Sequence, residues 1–168
     1  MIKAFLSSIF IKRDKIKKKF CRVLPVGDYI IDRWEKAQYC GFGKGTSIYD
    51  SSLILGNVSV GKNTWIGPYT LLDGSGGILE IGNNCNISAG VQVYTHDTVE
   101  SVINNKEIQK ADTRIGNNVY IGPNTIIAKG VTIGDFVVIG TNSFVNKDIE
   151  SYSKAFGTPV KIVSNTKL

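Results

Sequence analysis

Histidine occurs once in this chain of 168 residues, methionine once, cysteine three times and proline four times. One histidine per chain cannot supply a three-histidine zinc site at every boundary of a cyclic assembly, so no metal is expected. Cys21, Cys40 and Cys85 are odd in number and form no CxxC pair. They point to free thiols in a reducing compartment, hence the cytoplasm or the inner face of its membrane. No apolar run approaches the ~20 residues that a membrane span needs. The N-terminus does not read as a secretory signal, because the apolar stretch 4–11 is short, carries two serines and precedes no small-residue cleavage site.

Acidic residues are nearly missing from the first 22 positions. Lys3, Lys12, Arg13, Lys15, Lys17, Lys18, Lys19 and Arg22 stand there against Asp14 alone, a net +7 within a chain total of +6. The body is therefore close to neutral, at −1, and has no basic stripe for a nucleic acid.

What the chain does have is glycine, 18 residues, most of it in a repeat. An aliphatic residue followed by glycine recurs at Val60-Gly61, Ile66-Gly67, Ile81-Gly82, Ile115-Gly116, Ile121-Gly122, Ile133-Gly134 and Ile139-Gly140. The period of six fits neither an amphipathic helix nor a plain strand. Hexads start at Ile48, Ile54, Val60, Ile66 and Leu72, again at Ile81, Ile87 and Val93, and again from Ile115 to Val145. A three-residue slip near Gly76-Gly77-Ile78 separates the first two groups. Position five is small or β-branched, as at Thr64, Cys85, Val119 and Ser143, and is expected to fill a narrow core beside position one. Cys85 is thus expected to be a buried hydrophobe. Position four is mostly Asn, Gly or Asp, residues that tolerate the left-handed backbone of a tight corner.

This pattern resembles the hexapeptide-repeat acyltransferase family. The resemblance implies a mainly β fold, a left-handed parallel β-helix of about five coils, three hexads to a coil, over residues 46–150. Residues 1–45 precede it. Ile2, Phe5, Leu6, Ile9, Phe10, Ile16 and Phe20 recur at amphipathic-helix spacing, with lysines elsewhere on the wheel. That helix either lies on a membrane surface through residues 2–20 or caps the open end of the solenoid. Residues 151–168 are expected to leave the repeat as a short tail, and Gly157-Thr158-Pro159-Val160-Lys161-Ile162 resembles the tail of the same family.

The repeat fails over 99–114, directly after the hexad Val93-Tyr94-Thr95-His96-Asp97-Thr98. An insertion in a solenoid projects from one face, often the working face. His96 takes the corner slot of its hexad, where a left-handed backbone is expected. The segment from Tyr94 to Thr98 resembles the one preceding the active-site loop of sugar and xenobiotic O-acetyltransferases, closest to those of polysaccharide biosynthesis. The resemblance implies direct transfer from acetyl-CoA to a sugar hydroxyl of a surface-polysaccharide precursor, with His96 as general base. An imidazole of ordinary pKa, near ~6.5, is largely neutral at pH 7 and suited to that step. Asp97 or a backbone carbonyl is the expected acceptor for its second nitrogen.

By position in the family pattern, the cofactor groove is expected to involve Tyr120, Pro123, Ala128, Thr141, Asn146, Lys147 and Lys161. Asp73 and Tyr94 fall on the acceptor side. The family also implies a homotrimer. N-acetylation of an amino sugar, acylation of a xenobiotic and a non-catalytic scaffold remain the alternatives.

Overall fold

The computed structural model describes residues 2–165, so the last three residues of the expected tail lie outside the described part. The hexads build a three-faced prism. On the first face, Ser47–Ile48, Trp65–Ile66, Asn86–Ile87, Tyr120–Ile121, Val138–Ile139 and Ser153–Phe156 stack in parallel. The second face stacks the start of Leu71–Ile81 with Gln92–Tyr94, Ile126–Ile127 and Phe144–Val145. The third stacks the end of Leu71–Ile81 with Thr113–Ile115 and Thr132–Ile133. Leu53–Val60 and Leu71–Ile81 run side by side around the corner between the second and third faces.

The register explains why a period of six closes into a coil. Ser47 pairs with Trp65 and Tyr120 with Val138, so three hexads bring the chain back above itself. Position-one side chains such as Ile48, Ile66, Leu72, Ile87, Ile121 and Ile139 are fully buried. Position five is buried as well, from Thr64 through Cys85 and Val119 to Ser143. Most hexads thus place two small or aliphatic groups in a narrow core. The corner slots Asn63, Asn84, Gly90, Asn118, Asn124, Gly130 and Asn142 have positive φ. Tyr69 and Phe136 adopt it too, at an energetic cost for bulky residues. Phe136 stacks on Tyr152 at 5.0 Å.

Three features narrow or extend the expectation. Helix α1 (Ile2–Phe20) does not cap the prism; its main neighbour is α2 (Gly27–Ile30), and Ile9 is its buried residue. The cap is α3 (Arg33–Tyr39), whose Ala37 is buried in the core. Lys36 Nζ fastens it by donating to the carbonyls of Tyr49, Asp50 and Ser52 at 2.9–3.2 Å. Asp32 caps the helix from outside, accepting from the Trp34 and Glu35 N–H groups. Second, regular stacking does not stop at residue 150. Ser153–Phe156 continues the first face beside Val138–Ile139, and Lys161–Asn165 returns antiparallel to it. Val138 pairs with Lys154, a coil shorter than eighteen residues, which hides the strand from a search for hexads.

Third, the insertion is ordered. It leaves as His96–Asp97, passes through α4 (Val99–Asn104) and returns as Gln109–Lys110, antiparallel to its start. Thr113–Ile115 is already back on the third face. The excursion is therefore a helix-topped hairpin that begins at His96, not at residue 99.

Candidate active site

His96 owes its place to this departure. It occupies a corner slot but lacks the left-handed backbone of its counterparts, being paired in an extended strand with Lys110. The hairpin takes the chain outward where the repeat would have turned. Beneath it, the three-residue slip makes the previous coil bulge, since Gly56 pairs with Gly74 but Val58 with Leu79. The two irregularities meet. Gly76 N–H donates to Thr95 Oγ1 at 3.0 Å, and Thr95 Oγ1 donates to the Asp73 carbonyl at 2.8 Å. A Cβ on Gly76 would collide with the Cβ of His96 and with the Thr95 carbonyl. Glycine is needed there because the bulge passes directly against the histidine.

Asp73 is buried, 4 % exposed, and aims Oδ2 at His96 Nδ1 from 3.6 Å. Its other oxygen accepts from the Ser75 N–H at 2.9 Å and from the Ser75 hydroxyl. Nδ1 is buried with no hydrogen-bond partner among the described residues, while the side chain as a whole is 29 % exposed, so its accessible edge lies away from Nδ1. At 3.6 Å the contact is longer than a hydrogen bond. Contacts of this kind often tighten when substrate binds.

Asp97 does not orient the ring. Neighbouring side chains in an extended strand point to opposite sides, and Asp97 turns away. Its carboxylate takes the Lys129 ammonium at 2.8 Å and the Val99 N–H at 3.1 Å. The Lys129 hydrogen bond, followed by that of Val99, holds the Asp97 carboxyl below the usual carboxylate range. Asp112, just after the returning strand, accepts the Ile78 N–H and pairs with Arg114, and its carboxyl is likewise lowered, first by the Ile78 bond. Both legs of the hairpin are thus tied to the prism. Tyr94 pairs with Asp73 across the second face, and its hydroxyl donates to Gln92 Oε1 at 2.7 Å.

The expected cofactor residues divide between two corners. Gln92–Tyr94, Ile126–Ile127 and Phe144–Val145 stack in register, so Ala128 and Asn146 stand above Tyr94, with Lys129 and Lys147 beside them. Pro123 and Thr141 leave the first face and form the adjacent corner, where the Pro123 carbonyl accepts the Asn142 N–H. Tyr120 lies on the first face, exposed, and Lys161 is exposed on the antiparallel strand at the end of that face. One chain does not bring these groups into one groove. A cavity of about 370 Å³ lies elsewhere, between the N-terminal helices and Tyr49.

Sequence reasoning missed Ser75, Gly76 and Lys129. The slip was visible, but nothing in it said that the bulge would rest on His96. Cys85 is buried, and burial pushes its thiol upward, as expected of a core residue.

A parallel prism of stacked hexads, broken by a slip and an insertion that meet beside His96, defines the fold as a parallel β solenoid. Residues 112–147 match the family described as bacterial transferase hexapeptide (six repeats). The chain contains a hexapeptide transferase domain and is homologous to proteins named as acetyltransferases. It is 29 % identical over 145 residues to a chloramphenicol acetyltransferase of Agrobacterium fabrum, covering 83 % of this chain and 66 % of that protein. It is 36 % identical over 110 residues to the galactoside O-acetyltransferase of Escherichia coli K12, covering 64 % and 53 %. The chain thus spans about half to two thirds of these relatives' lengths. A maltose O-acetyltransferase from Clostridium difficile 630 superposes with a TM-score of 0.64 at 28 % identity, over 95 % of this chain and 89 % of that one. AntD, an N-acyltransferase from Bacillus cereus in complex with dTDP and 3-hydroxybutyryl-CoA, gives 0.67 at 28 % identity over 75 % and 72 %.

Proposed function

We propose that this chain transfers an acetyl group from acetyl-CoA to a sugar hydroxyl of a surface-polysaccharide precursor, with His96 as general base. The observation that carries the reading is the arrangement of the His96 ring, whose buried Nδ1 faces the carboxylate of Asp73 and whose other edge is accessible. Asp73 is the orienting acceptor in this reading. With the Nδ1 proton pointed at it, Nε2 is left free to accept a proton.

The acceptor hydroxyl gives its proton to Nε2 as its oxygen attacks the thioester carbonyl. The new C–O bond forms, charge collects on the carbonyl oxygen, and the C–S bond then breaks. The departing thiolate takes the proton back from the imidazolium, giving the acetyl ester and free CoA thiol. No acyl-enzyme is required.

The separation of the two corners supports a homotrimer of prisms packed side by side. A groove between two copies would set the His96 corner of one, with Ala128, Asn146 and Lys147, against Pro123, Thr141 and Tyr120 of another. Lys147 and Lys161 would supply charge for the phosphates of CoA. The likeness to AntD favours an amine acceptor as the second reading.

The test is acetyl-CoA turnover against a panel of galactosides, maltose and amino sugars, followed by thiol release, with the purified product treated with alkaline hydroxylamine. O-transfer predicts thiol release and a product that hydroxylamine cleaves. A resistant product would make it an amide and establish the second reading. No turnover with any acceptor and no calorimetric signal for acetyl-CoA would leave a scaffold.

A further inference from the structure

Helix α1 is the largest feature that the acetyl-transfer reading does not use. It is 19 residues long, about 28 Å, and no helix among the described residues is long and apolar enough to cross a membrane. Ile2, Phe5, Leu6 and Phe10 are 43–77 % exposed, a run of large apolar side chains at the free end of the helix. The exposure continues past the helix at Val23 and Val26. Its cations flank the apolar groups: Arg13 lies 5.0 Å over the Phe10 ring and Lys19 5.0 Å over the Phe20 ring. Lys17, Lys18 and Lys19 crowd its last turn, and its first turn has no acidic residue.

Three occupants suit an exposed amphipathic helix: the chain's own prism, a second copy, or a bilayer. The prism end is already held by α3 and the three hydrogen bonds donated by Lys36 Nζ. A second copy of α1 brings its own net charge of +6, which repels the first, and residues 23–168 carry a net charge of only −1 to offset it. An anionic bilayer matches both the apolar run and the charge. We infer that residues 2–26 form a docking surface for an anionic lipid bilayer, with α1 lying in the plane of the interface. The inference stands apart from the acetyl-transfer reading and does not need it.

The full chain is sedimented with vesicles of phosphatidylcholine alone and of phosphatidylcholine carrying about 30 mol % phosphatidylglycerol. Binding to the anionic vesicles is expected to be at least about tenfold tighter and to fall in about 0.5 M salt. Phe5→Gln with Phe10→Gln, and Lys17→Gln with Lys18→Gln and Lys19→Gln, should each weaken it by about tenfold or more while leaving thermal unfolding and solution mass unchanged. Equal binding to both vesicles, or no binding, overturns the proposal. A lowered assembly mass in either variant also overturns it and makes α1 an interface between copies. Should a variant not fold, the wild-type lipid and salt dependence decides alone.

Discussion

At the residue scale the site rests on which carboxylate faces His96. The hexad count found the histidine, and the irregular stretch after it marked it for function. The count could not find its partner. Asp97 is adjacent in sequence, but strand alternation sends it to Lys129, while Asp73 arrives from the coil below, 23 positions earlier, through a bulge. Asp73→Asn should lower kcat by roughly 10²-fold or more with KM for acetyl-CoA little changed, because an amide can present N–H to Nδ1 and favour the wrong tautomer. Asp97→Asn leaves Nδ1 untouched and should cost much less. Steady-state kinetics of the two variants side by side checks the assignment. A separate expectation concerns the thiols. Burial pushes the Cys85 thiol up, and Cys21 is exposed, so iodoacetamide at neutral pH should label Cys21 and reach Cys85 only after denaturation. Peptide mapping reads this directly.

At the scale of elements, the strands and corners were legible because each hexad repeats the same two buried positions and one turn residue. What did not repeat was not legible. The last strand of the first face was lost because its coil is short, and α3 was overlooked as the cap because seven residues carry little periodicity. The hairpin at His96 replaced a corner, which no local pattern of Asn or Gly could announce. Its anchoring is electrostatic at both legs. The carboxyls of Asp97 and Asp112 are lowered in the folded chain, so their anchoring is present above the ordinary aspartate pKa of ~3.9 and is lost as pH falls through their lowered values. Acid-stable protease should therefore cut between residues 98 and 110 faster below about pH 4 than at pH 5, while the prism stays intact. The bulge is anchored by sterics instead. Gly76→Ala puts a methyl group against His96 and should reduce activity by at least about tenfold with a far-ultraviolet spectrum like the wild type.

At the scale of the whole molecule, the prism distributes the expected cofactor contacts over two corners of one chain, and only association brings such corners together. A trimer of the 18.3 kDa chain should be seen by analytical ultracentrifugation. Mixed assembly carries the point further. His96→Ala chains refolded together with Thr141→Glu chains should regain part of the activity that each lacks alone, since some interfaces then pair an intact His96 corner with an intact Thr141 corner. The acceptor itself was not legible at any scale, since the hairpin and α4 that border His96 have no repeat to compare with.

The most direct measurement is acetyl transfer by His96→Ala with acetyl-CoA affinity taken by calorimetry on the same preparation. The account predicts a fall in kcat of about 10²- to 10⁴-fold with acetyl-CoA affinity unchanged. Transfer at the wild-type rate in that variant would contradict it.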